Sequence, residues 1–248
     1  MKYFFLLCLL YPLVSLAQND RAEPLSTDRP GEGTNTASVV GVGVIQLEFG
    51  LLREWKQGGN AVYWDAPTAS LRYGVVERVE LRVTSGLFTE NSETGARWSS
   101  VSVGTKIGLT EQQHWLPKTS LEVDLTLPHT GSPSAQSRFT QPSIILLLDH
   151  SVTSWLSITT NLSANWENDS PETIYRYGMS LNYGVSDRLG AFTEFYGDLP
   201  EASASNHLFN GGFTFLVNNN LQLDLAAGTV LTDDAPDFYI GGGVSVRW

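Results

Sequence analysis

The sequence predicts an all-β fold, a transmembrane up-and-down antiparallel β-barrel of twelve strands. Three observations predict it. Apolar and polar residues alternate with period two in segment after segment, the links between segments alternate short and long, and the chain opens with an export signal.

The N-terminus comes first. Met1-Lys2 is a positive start, Tyr3 to Leu16 an apolar stretch, and Ser15-Leu16-Ala17 a small-x-small cleavage site before Gln18. Together these read as a signal peptide over residues 1–17, too short and wrongly flanked to be a membrane anchor. Cys8, the only cysteine, falls inside it, so a mature chain without a thiol is expected, with no disulfide and no Cys-based metal or catalytic site. Residues 18–43 are expected to form a periplasmic N-terminal segment and 44–248 the barrel.

The first predicted strand, 44–54, sets Ile45, Leu47, Phe49 and Leu51 against Gln46, Glu48 and Gly50. The second (67–75) sets Leu71 and Tyr73 against Ser70 and Arg72. The third (79–84) alternates Val79, Leu81 and Val83 with Glu80, Arg82 and Thr84, and the fourth (100–109) alternates Val103 and Ile107 with Ser102 and Lys106. The fifth is the cleanest, with Leu121, Val123 and Leu125 opposite Glu122, Asp124 and Thr126. The sixth (143–149) is nearly continuous Ile and Leu and leaves its register open. Leu156, Ile158 and Leu162 carry the seventh, and Tyr175, Tyr177, Met179 and Leu181 the eighth. The ninth (189–196), tenth (211–217) and eleventh (221–228) follow. The twelfth ends the chain with Phe238, Ile240, Val244, Val246 and Trp248 on one face and Tyr239, Gly241, Gly243, Ser245 and Arg247 on the other. An even strand number suits a single-chain bacterial barrel.

Links such as Val76-Glu77-Arg78, Ser186-Asp187-Arg188 and Asn218-Asn219-Asn220 are tight. Those in the other positions, such as Pro128 to Arg138 and Gly197 to His207, are long and polar. Short periplasmic turns and longer outer loops produce this rhythm, whereas a Greek-key sandwich has no reason to. Trp55, Trp64, Trp98, Trp115 and Trp166 stand near strand ends, as interfacial girdles require, although Trp also fills cores. A mean hydropathy of -0.10 fits strands that interleave polar and apolar residues. A net charge of -11 argues against nucleic acid as partner.

Ser26-Thr27-Asp28-Arg29-Pro30-Gly31, followed by Gly43-Val44-Ile45-Gln46-Leu47-Glu48-Phe49-Gly50, resembles the opening of the outer-membrane transporters named after the meta pathway of phenol degradation. Arg72-Tyr73-Gly74-Val75-Val76-Glu77-Arg78-Val79-Glu80-Leu81-Arg82 and Asn219-Asn220-Leu221-Gln222-Leu223-Asp224 are similar to that family too. The resemblance spans nearly the whole mature chain and implies a β-barrel with a transport role, without implying that this chain handles phenol.

Alternation projects Glu48, Arg72, Glu80, Arg82, Lys106, Glu122, Asp124, Arg176, Glu194, Asp224 and Arg247 into the lumen. A lipid-facing Arg or Lys would cost roughly 2–4 kcal/mol at the midplane, so a barrel forces these charges inward whatever its task. They either line a polar channel or form an ion-paired network that holds the lumen shut. Asp28 and Arg29, ahead of strand one, belong either to a plain linker, the simpler expectation, or to a gate folded back to pair with a lumen charge.

An outer-membrane lipid hydrolase is a further alternative. His114, His129, His150 and His207 show neither a local Ser pairing nor metal-ligand spacing, and no Gly-x-Ser-x-Gly elbow occurs. The expectation is therefore a non-enzymatic channel of the bacterial outer membrane, monomeric or weakly oligomeric, passing small solutes, apolar or aromatic ones among them. It carries no catalytic, metal or cofactor site. Its partners are outer-membrane lipid, the unidentified solute, and the barrel-assembly machinery through the C-terminal strand ending in Trp248.

Overall fold

The computed structural model describes residues 23–55, 62–88, 96–167, 172–232 and 238–248. The signal peptide assigned to 1–17 and the start of the segment assigned to 18–43 lie outside the described residues. The strands are β1 (Ile45–Trp55), β2 (Val62–Val76), β3 (Val79–Phe88), β4 (Arg97–Trp98), β5 (Ser102–Thr110), β6 (Lys118–Thr126), β7 (Gln141–Ser151), β8 (Leu156–Trp166), β9 (Thr173–Gly184), β10 (Leu189–Pro200), β11 (Asn206–Asn218), β12 (Leu221–Val230) and β13 (Phe238–Arg247).

Apart from β4 and β5, each strand pairs antiparallel with its sequence neighbour, and β1 pairs with β13 from Gln46↔Arg247 to Trp55↔Phe238, closing the sheet. The two-residue β4 and β5 occupy one stave, because β3 pairs with both: Leu87↔Trp98 lies above Thr84↔Ser102. The closed barrel therefore has twelve staves, and closure leaves no unpaired sheet edge in the apolar phase.

The predicted fourth strand, 100–109, corresponds to β5, and ahead of it the stave is interrupted at Ser99 to Val101. Hydroxyl side chains fill the lost ladder positions: Gly86 N donates to Ser99 Oγ (2.8 Å), Val101 N to Thr130 Oγ1 (2.8 Å), and Trp98 N to Ser132 Oγ (2.9 Å). The loop after β6 thereby stitches the break. Other observed strands outrun their predicted limits, notably β2, β10 and β11, whose outer ends lack clean alternation.

Alternation sorts the two faces. On β3, Glu80 is fully buried and Leu81 is 51% exposed; on β12, Asp224 points in while Leu225 is 57% exposed. Phe209, Phe213 and Phe215 face outward around buried Asn210. An outward apolar belt around an inward polar face is the reverse of a soluble protein and suits a bilayer. β7 resolves with Ile144 outward and Leu147 and Asp149 inward. At the closing seam Leu221 and Val246 pack with Leu47, Val217, Val244 and Trp248, and Trp248 N donates to Ile45 O at 2.9 Å.

Both described termini lie at the end that carries the tight turns. Residues 23–43, the described part of the segment assigned to 18–43, run inside the barrel. Leu25 N donates to Asn219 O at the turn end, and the segment returns there at Gly43, whose N donates to Gly74 O. Gly43 has φ 71°, a conformation that L side chains rarely adopt, and it turns the chain out of the lumen into β1.

Candidate functional site: a lumen occupied by the N-terminal segment

The segment rises from the turn end through Ser26 and Asp28, reverses between Pro30 and Thr34, and descends through Thr36 and Val40. Thr36 N donates to Asp28 Oδ1 (3.0 Å), tying the two limbs together. The tip is seven residues along β10 from Leu189, where Gly33 lies against Tyr196.

Asp28 is the centre of one ion cluster. Its carboxylate meets Arg82 Nη1 at 2.8 Å, Lys106 Nζ at 3.0 Å and Arg72 Nη1 at 3.6 Å, three cations from β2, β3 and β5. Those cations also have barrel partners. Arg72 pairs with Glu48 and Glu80, each at 2.8 Å; Arg82 meets Glu122 at 2.5 Å and Lys106 meets it at 3.3 Å. Backbone donors of the segment complete the carboxylates. Asp28 N and Arg29 N donate to Glu48 Oε2, and Val40 N to Glu80 Oε2. Burial alone would raise the Asp28 carboxyl, but Arg72, Lys106 and Arg82 outweigh it and hold it well below the ordinary carboxylate range.

The opposite wall is held differently. Arg29 crosses to Asp224, with Nη2 3.0 Å from Oδ1 and Nε 3.3 Å from Oδ2. Its guanidinium lies over Gly50 and Gly243, which face each other across β1 and β13; a Cβ at either would collide with it. Glu194 accepts from Glu32 N, Gly33 N, Thr34 Oγ1 and Asn210 Nδ2. Asp149 accepts from Thr36 Oγ1 and Ala37 N, each at 2.8 Å, and Ser120 Oγ donates to Ala37 O at 2.5 Å.

The sequence-predicted set thus divides three ways. Asp28, Glu48, Arg72, Glu80, Arg82, Lys106 and Glu122 come together; Asp124 lines the adjoining loop-side cavity with Arg82 and Glu122. Arg29 joins Asp224, while Glu194 holds the segment's tip. Arg176 and Arg247 lie at the two ends: Arg176 pairs with Glu167 and Asp198 at the loop end, each at 2.8 Å, and Arg247 reaches Asn220 Oδ1 and Glu23 O at the turn end. Projecting charges alone missed Gln46, Asn210, Gln222 and Tyr239, which share the inward phase, and Asp149, hidden in the Ile/Leu run.

The segment separates the cavities. Toward the loop end two adjoining spaces of about 320 and 310 Å³ share Asn35, Ile145, Asn165 and Arg176. Toward the turn end a space of about 340 Å³ is bounded by Thr27, Arg29 and Pro30.

A closed barrel with a lipid-facing belt, a polar lumen and its own N-terminal segment inside is an outer-membrane β-barrel. The chain belongs to the family described as "Putative MetA-pathway of phenol degradation", whose profile matches residues 27–248. No curated protein sequence matches it at a significant level. Among solved structures it is similar to the COG4313 outer membrane channel from Pseudomonas putida F1 (12% identity, TM-score 0.62, covering 88% of this chain and 99% of that one). It is also similar to the KdgM porin (10%, 0.58, 81% and 98%) and the NanC porin (9%, 0.58, 80% and 98%). At such identities the likeness is one of fold.

Proposed function

We propose that the protein is a passive outer-membrane channel for small solutes, and that residues 23–43 are its gate. The carrying observation is that the segment's own Asp28 and Arg29 engage the lumen's charges while its tip divides the loop-side from the turn-side cavities. The loop-side spaces are at the small end of ligand-sized cavities. Tyr196 lines one of them beside Asn165 and Ser163, so a ring and hydrogen-bonding groups meet there and aromatic solutes belong to the proposed class. A barrel closed for purely structural reasons is the competing reading, favoured by the same ion network. A hydrolase draws no support from the histidines: His207 Nδ1 is 2.7 Å from Tyr177 OH, and His150 stacks on Trp115. The C-terminal strand ending in Trp248 is the proposed handle for the assembly machinery.

The test is single-channel recording of the full chain against Asp28→Asn/Arg29→Gln. Removing one partner from a buried ion network costs about 3–5 kcal/mol, enough to raise the open fraction a hundredfold or more. Equal open fractions in the two proteins overturn the gate.

A further inference from the structure

The two walls of the lumen are electrically unlike. On the β1 to β6 wall, Arg72, Arg82 and Lys106 are each within 3.3 Å of a carboxylate of that same wall, so their compensation survives loss of Asp28. On the β7 to β13 wall the described inward carboxylates that the segment engages are Asp149, two residues from the turn end of β7, and Glu194 and Asp224 further in. The basic residues Arg176 and Arg247 of those strands are engaged at the barrel ends. Lys118 of β6, opposite Asp149 in register, stands near the turn end and pairs with Glu111 at 3.4 Å.

Each of the three acids is answered by the N-terminal segment: Asp149 and Glu194 by backbone N–H and hydroxyl donors, and Asp224 by a full positive charge, the Arg29 guanidinium. The Arg29 seat is shaped as well as charged, since Gly50 and Gly243 leave the space that the guanidinium fills. When the segment leaves, these donors leave with it, and three carboxylates on three strands face an open lumen without them. Acidic side chains around a pore attract cations and repel anions, and low-dielectric walls focus that field.

We propose that the opened pore selects cations, with Arg29 as the chain's own occupant of the seat at Asp224 that a permeating monovalent cation or small organic ammonium or guanidinium ion would use. This rests on the gate reading above. The measurement is the reversal potential under a KCl gradient, on the full chain carrying Asp28→Asn/Arg29→Gln, which leaves net charge unchanged. A potassium-to-chloride permeability ratio of roughly 5 is expected, falling toward 1 when Glu194→Gln and Asp224→Asn are added, while Asp187→Asn in a tight turn leaves it in place. Gly50→Val, which drives Arg29 from its seat without altering any charge, is the second opening variant should the double variant not insert. A conducting variant with a ratio at or below 1 overturns the inference and leaves the gate standing. Barrels of both variants that insert and stay silent overturn the gate and this inference with it.

Discussion

Asp28 lies where three cations from three strands converge, and its titration follows from that position. Arg72, Arg82 and Lys106 face it from β2, β3 and β5, while Glu48, Glu80 and Glu122 share those cations. A carboxyl with a lowered pKa contributes its docking energy above its ordinary pKa and loses it only as pH falls through the lowered value. That value lies below the ordinary range, so Asp28 stays ionised through mild acid. The ratio of open fractions between Asp28→Asn and the parent protein should therefore stay constant from pH 8 down to about pH 4. Single-channel recordings across that range check it; a ratio that collapses near pH 6 would mean that Asp28 titrates as a raised carboxyl.

At the scale of the element, alternation does the work. β12 shows it in two adjacent residues: Asp224 binds Arg29 inside, and Leu225 meets lipid outside. Leu225→Arg should destabilise the barrel by roughly 2–4 kcal/mol, read as a lowered urea midpoint in vesicles with the slope unchanged. An unchanged midpoint would place Leu225 away from the acyl chains. The same alternation made the strands and the inward charges legible in the sequence, since a side-chain period of two leaves only one register for Glu80 beside Leu81. It failed where the pattern lapses. β11 begins at Asn206 rather than Gly211 because Asn206-His207-Leu208-Phe209-Asn210 mixes its faces, and the break at Ser99 to Val101 is filled by hydroxyls from a loop far along the chain. The path of residues 23–43 was legible only as one of two alternatives, a plain linker or a stretch folded back onto a lumen charge. Its docking runs largely through backbone N–H groups at Asp28, Glu32, Ala37 and Val40, which every sequence carries. One trace of it was present: Gly50 and Gly243 fall on the inward face, where a barrel alone needs no gap.

For the molecule as a whole, the question is whether barrel and segment move independently. Ser120 Oγ reaches Ala37 O, so cysteines at these positions would stand close enough to test for a bridge. Cys8, the only native cysteine, falls in the expected signal peptide, which leaves the engineered pair alone in the mature chain. In Ala37→Cys/Ser120→Cys, oxidation should silence the openings and reduction restore them. Identical conductance in the two redox states would show that solutes pass with the segment in place.

The segment enters and leaves the barrel at the same end and continues directly into β1. Once withdrawn it remains leashed at Ile45, and short flexible tethers hold their ligand at millimolar effective concentration. Reclosure is therefore unimolecular and independent of protein abundance. A pore gated as proposed would reset itself, opening in bursts whose length is set by how fast about twenty residues return to the lumen.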